Sequence, residues 1–461
     1  MHDYAAVKKW FRNHTPVCTL LLIFLAHTVP SSPGFAQSPL SLEDCIRLAL
    51  DNNPEIRNAQ RRTDIARTVK SDAIASYLPS LSTVFSSSQT RVGPQINNRV
   101  VYQGVELSEG ATSVSPSFVT NSHFIGASFN QLIFDGGASI NRIRQQNTNL
   151  QSALQSQTQT RSQVILQCKR LYYNLRRAQE HQQVAAKALD VAEQQARRME
   201  LLKDGGVISK LDLFRGRVAR NNGRLRVLQA ESTIADASAD LNSYLGRSQD
   251  ESITLAQDKT SVGPLQYPLE EAKGLARHNN QDLHSLQLSI NARRFGIAAA
   301  KNAYLPSVNF SSSYYRYNSS MSNVYGQLTK NYSIFLGLTL SYNLFDGLRR
   351  ETAIQRERLQ MALAEETYDT AQRDIASTVA RSYRRYTVLM EMLRLHEENV
   401  LEATEGMRVA GERYTNGQIP LIEVLEAESN LMDAQYQRIG TTYDALISAA
   451  EFDALLGVDS H

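Results

Sequence analysis

Net charge, tryptophan, cysteine and long apolar runs are all scarce in this chain of 461 residues. Its 49 Lys and Arg stand against 46 Asp and Glu. That near balance lacks the basic excess by which a nucleic-acid binder neutralises phosphates, so nucleic acid is excluded as a partner. A mean hydropathy of −0.36 rules out a bundle of apolar membrane helices. With 42% hydrophobic and 21% charged residues the chain is not disordered either. The histidines at 123, 181, 278, 284, 396 and 461 show no metal-ligand spacing. His396 falls on an apolar helical seam and reads as a buried structural histidine. Phe134-Asp135-Gly136-Gly137 has a glycine pair but no lysine, so it is a turn rather than a phosphate loop. Neither enzyme chemistry nor a cofactor or metal site is expected.

Lys8, Lys9 and Arg12 precede an apolar run over 17–26 and a turn-rich stretch ending Gly34-Phe35-Ala36. About 20 apolar residues are needed to span a bilayer, and this run is far shorter. The layout predicts a signal peptide over 1–36, which takes with it Trp10, the single tryptophan. Cys18 lacks the small-residue lead-in of a lipoprotein site. Only Cys45 and Cys168 then reach an oxidising compartment.

The remainder is written twice. Leu42-Glu43-Asp44, Asn52-Asn53 and Tyr77-Leu78-Pro79-Ser80 return at one constant spacing as Leu269-Glu270-Glu271, Asn279-Asn280 and Tyr304-Leu305-Pro306-Ser307. At a second, shorter spacing Phe134-Asp135-Gly136 returns as Phe345-Asp346-Gly347, and Leu245-Gly246 as Leu456-Gly457. The difference in spacing marks an insertion in the first copy between 88 and 134. The first repeat is placed at 37–247, a polar linker at 248–267, the second repeat at 268–457 and a tail at 458–461.

Each repeat reads as helix, strand pair, very long helix and return helix. The first helix (41–76 and 269–303) is expected to run unbroken to its Leu-Pro-Ser turn, because proline disfavours helical geometry in the residue before it. Ile334, Leu336, Leu338, Leu340, Tyr342 and Leu344 alternate with Phe335, Gly337, Thr339, Ser341 and Asn343, a period of two that means a strand with one apolar face. Strands are expected at about 81–90, 123–134, 308–317 and 332–345, with hairpin tips at 204–209 and 415–420. A helix over 138–203 spans about 100 Å, so two shorter helices stacked end to end must line each long one. Val164, Cys168, Leu171, Leu175, Ala178, Ala185, Leu189, Ala192, Ala196 and Met199 carry a 3.5-residue seam, the mark of coiled-coil packing.

Strands of this length match what a tilted strand needs to cross a bilayer, and an open sheet cannot stand in hydrocarbon. Four strands are too few to close, and a conducting pore needs about twelve, hence three chains. Tyrosines at 304, 314, 315, 317, 325, 332 and 342 suit interfacial aromatic girdles. The competing reading is a periplasmic adaptor-like or structural coiled-coil protein, which would lack four membrane-length strands.

In the order of these motifs the chain resembles the TolC-type outer-membrane efflux and secretion channels. The resemblance covers nearly the whole region after the signal peptide and includes Tyr-x-x-Gly at the second tip (Tyr414, Gly417) and the closing Leu-Gly. It implies a mainly helical homotrimer with a 12-stranded β-barrel in the outer membrane and a helical tunnel in the periplasm. A periplasmic adaptor and an inner-membrane transporter are the implied partners, and the implied function is a passive conduit of a tripartite efflux or type I secretion system. Family positions where adaptors dock correspond to Gly205, Gly206, Val207, Gly417 and Gln418. Glu423 and Glu426, three apart on one helix face, match an acidic ring that selects cations. Asp212 and Tyr414 match residues that bond across neighbouring hairpins to hold the entrance shut, although Ile419 replaces a supporting arginine. Cargo is not legible, because the resemblance makes specificity a property of the transporter. Cys45 and Cys168 lie at equal depth below the barrel and are either a disulfide or two buried thiols.

Overall fold

Ser41 opens the first helix with a reciprocal cap: its Oγ accepts from the Asp44 amide at 3.1 Å, and Asp44 Oδ2 accepts from the Ser41 amide at 3.3 Å. The computed structural model describes residues 39–97, 101–102, 105–106, 113–204, 208–256, 262–326 and 328–458. The expected signal peptide lies outside them. Helix α1 (Leu42–Asn52) ends at Asn53, and α2 (Pro54–Ala75) begins immediately after it. The unbroken helix expected here is therefore two. Asn53 is extended at ψ 130°, as suits a residue before proline, and its side chain accepts from the Glu55 amide at 2.8 Å. The second repeat breaks likewise into α5 (Leu269–Asn279) and α6 (Gln281–Asn302), with no proline. There Asn280 accepts from the amides of Asp282 and Leu283. Asparagine capping is thus the shared cause of the break, and Pro54 reinforces it.

The long helices α3 (Ala138–Asp204) and α7 (Arg349–Thr415) have 67 residues each. Asp135 starts α3 by accepting from the amides of Gly137 and Ser139, at 3.2 and 2.8 Å. Return helices α4 (Lys210–Tyr244) and α8 (Leu421–Leu456) come after the tips. Beside α3 lie α4, α1 and α2, and beside α7 lie α8, α5 and α6, while α6 and α8 also pack against α3. End-to-end stacking is made by the duplicated motifs themselves. Gly246, at φ +73°, ends α4 against Asn52, and Gly457, at φ +64°, ends α8 against Asn279.

Seam residues Val164, Cys168 and Leu175 are fully buried with Cys45, Ala49, Leu241 and Leu245. The second repeat builds its smaller core from Ala272, Ala276, Val379, Phe452 and Leu456. Glu451 on α8 joins the repeats by pairing with Arg170 at 2.8 Å and Arg385 at 3.3 Å. The linker is held as well: Leu40 bridges in parallel to Leu255, and Tyr386 donates to the Gly263 carbonyl. His396 is half-buried rather than enclosed.

Four strands, β1 (Ser80–Val92), β2 (Phe118–Phe134), β3 (Ser307–Asn318) and β4 (Ser333–Ser341), form one antiparallel sheet in chain order. Between β1 and β2 two short ladders, Gln95–Asn97 with Ser113–Ser115 and Val101–Tyr102 with Val105–Glu106, extend the hairpin. Pairing of β4 stops at Ser341, opposite Ser307, because β3 begins only after Pro306. The alternation through Tyr342 and Leu344 therefore outlasts the ladder. Register sorts the side chains, since directly opposed residues share a face. Ile334, Leu336, Leu338 and Leu340, 59–71% exposed, fall on one face with Phe310 and Tyr314. Ser128, Ser311, Ser313, Thr339 and Ser341 fall on the other. Tyr315 and Tyr317 belong to this hydroxyl-rich face, whereas Tyr314 lies on the aliphatic one.

Candidate functional site

The tip of the second hairpin is shaped by where its backbone amides go. Gly417, at φ +70°, takes the left-handed position after α7; its amide donates to the Tyr414 carbonyl, and that of Gln418 to the Arg413 carbonyl at 2.9 Å. Pro420 stands just before α8 at the cap position. Gly205, Gly206 and Val207 of the first tip lie outside the described residues. The start of α4 beyond them is ordered by Ser209, whose Oγ accepts from the Asp212 amide at 3.1 Å and caps the helix.

Both hairpins meet through a small apolar cluster of Met199, Leu213 and Leu421, with Ile208, Tyr414 and Leu425 packed against it. Asp212 and Tyr414 are brought together here, across the two hairpins of one chain. Burial, and then the charge of Asp212, raises the Tyr414 phenol above its ordinary value. Asp212 also accepts from Ser209 at 2.7 Å and faces Arg215 at 3.5 Å. Glu423 and Glu426 both project exposed from the first turns of α8. Glu423 belongs to the turn where the helix dipole favours an acid.

Above the tip lies a cavity of about 510 Å³ between α4 and α8, floored by Ala188 and Ala192 of α3. Phe214, Val218, Ile422 and Leu425 line it, with Glu428 and Arg226 among them. Burial raises the Glu428 carboxyl, and Arg226 opposes the rise. Nothing in a linear pattern marks Glu428 apart from the acids around it, because its burial depends on two helices that are distant in sequence. The same holds for His181, which packs its ring on Tyr436 at 4.4 Å. Burial lowers its basicity, and its Nε2 has no hydrogen-bond partner among the described residues. Cys45 and Cys168 are free and buried in a single core cluster. Their thiols are pushed up to about 11 and about 12, chiefly by desolvation. No described helix is long and apolar enough to cross a membrane.

The family model described as outer membrane efflux protein matches residues 45–247 and 273–458. Protein CyaE of Bordetella pertussis is 25% identical over 417 residues, covering 88% of this chain and 82% of that protein. Outer membrane protein TolC of Vibrio cholerae is 19% identical over 376 residues, covering 81% and 84%. Among solved structures, the CmeC outer membrane channel of Campylobacter jejuni matches with a TM-score of 0.77 at 16% identity, over 90% of this chain and 85% of that one.

Proposed function

Because this chain belongs to the outer membrane efflux protein family, we propose that three copies of it join into one barrel and one tunnel, with β1 of each chain pairing β4 of the next. The chain is an outer-membrane channel component of an efflux or secretion system, with its helices in the periplasm. The observation that carries the trimer is the sheet: it has an aliphatic face suited to lipid and a hydroxyl face suited to water, and among the described residues its outer strands β1 and β4 each pair on one side only. Twelve strands satisfy those edges and leave a water-filled bore.

The protein is a conduit rather than a catalyst, and a partner supplies the energy. A periplasmic adaptor docks at the tips, at Gly417 and Gln418 and at the equivalent Gly205, Gly206 and Val207, and an inner-membrane transporter delivers the cargo. Glu423 and Glu426 supply an acidic ring at the narrow end, and Tyr414 with Asp212 holds it closed. The test is extraction and reconstitution of the full-length protein. The expected result is dependence on detergent, a trimeric mass and ion conductance in planar bilayers. A monomer soluble without detergent overturns the channel assembly.

A further inference from the structure

We propose that Phe124 with Gly126, and Phe335 with Gly337, set the bore of the outer half of the pore, the glycines letting both rings lie flat against its wall. This rests on the channel reading above and adds to it the residues that fix the size limit.

Phe124 is level with Tyr317 and Gly126 with Tyr315, while Phe335 is level with Ser313 and Gly337 with Ser311. All eight residues belong to the hydroxyl-rich face. In this proposal that face lines the lumen, because the opposite one carries the exposed aliphatic run of β4, Ile334, Leu336, Leu338 and Leu340. On each strand the glycine is the next residue of the same face, two positions after the phenylalanine. A Cβ built on Gly126 would fall 2.9 Å from Phe124 Cζ, and one on Gly337 would fall 2.6 Å from Phe335 Cζ. Both rings therefore occupy the space that a side chain would fill. Phe124 is further held by Tyr315, stacked at 6.3 Å and 26°. Two strands that are not neighbours repeat one device, Phe-x-Gly, on the same side of the sheet.

An added methyl at either glycine clashes with the far end of a ring, while the nearest backbone atom at Gly126, the Tyr314 carbonyl oxygen, stays at an ordinary 3.6 Å. The strand can stay where it is, and the ring must move. Sheet lies below it and wall residues lie beside it, so it swings toward the lumen. Opposite backbones of a twelve-stranded barrel are about 24 Å apart, so a few ångströms lost at each of several rings is a large share of the opening.

The experiment is single-channel recording on the full-length protein in planar bilayers, combined with exclusion of polyethylene glycols of graded size. Gly126→Ala with Gly337→Ala is expected to lower conductance by about a third and to shift the exclusion limit to smaller polymers. Phe124→Ala with Phe335→Ala is expected to conduct at or above wild type. Adding the two alanines to that background is expected to change nothing further. If the glycine variant conducts and excludes as wild type does, the proposal is overturned. It is equally overturned if alanine narrows the pore when both rings are gone. A wild-type protein that does not conduct at all overturns the channel reading instead.

Discussion

Asn52 donates from its side-chain amide to the backbone carbonyl of Leu245 at 3.2 Å, tying the end of α1 to the end of α4. Here the return helix of one repeat is stacked on its first helix. Gly246, the next residue, turns left-handed so closely against Asn52 that a Cβ on it would lie 2.8 Å from the Asn52 Cβ. Gly457 repeats the arrangement on Asn279 at 2.9 Å.

Alanine at Gly246 or Gly457 is therefore expected to destabilise. The left-handed backbone alone costs a residue with a Cβ about 1–2 kcal/mol, and displacing the asparagine adds to that. Thermal unfolding monitored by circular dichroism is expected to show a lower midpoint for each variant and a larger drop for the pair. Midpoints equal to wild type would mean that the junction is slack.

Glu428 gives a pH dependence of known sign. Burial holds its carboxyl above the usual range, so the folded protein binds that proton more tightly than the unfolded chain does. Stability from this residue is therefore lost as pH rises above the ordinary glutamate value and is intact below it. Glu428→Gln is expected to raise the thermal midpoint at neutral pH, with the gain disappearing below about pH 4. A gain that persists at low pH would point to packing instead of charge.

Glu423→Gln with Glu426→Gln is expected to reduce the cation selectivity of the channel and to relieve block by multivalent cations. Reversal potentials in asymmetric salt measure the first effect and current block the second. Were both unchanged, the two acids would serve only the dipole of α8.

Tyr414→Phe keeps the ring in its apolar cluster and removes the hydroxyl that is subject to the charge of Asp212. The open probability is expected to rise. An unaltered gating record would leave Tyr414 a packing residue.

The raised thiols of Cys45 and Cys168 are expected to resist alkylation in the native protein at neutral pH. After denaturation without reductant, mass spectrometry is expected to find two labels on the chain. Labels that appear only after reduction would show a disulfide.

Local chemistry made much of this protein legible in its sequence. Periodicity of two marks a strand wherever one face is buried or wet, so β4 was readable from its leucines, and a 3.5-residue seam marked α3 from Val164 to Met199. Tandem motifs were readable because each is a junction that the chain must make twice. What Asn53 does was less legible: the sequence shows the asparagine pair, but whether its side chain caps a new helix depends on backbone angles that only the folded chain fixes. Burial at Glu428 and His181, the approach of Tyr414 to Asp212, and the side of the sheet on which Phe124 and Phe335 share a face with Tyr315 and Ser311 were decided by tertiary structure alone. Each needs segments far apart in the chain, or the register of a sheet, to become neighbours, and no linear pattern carries that distance.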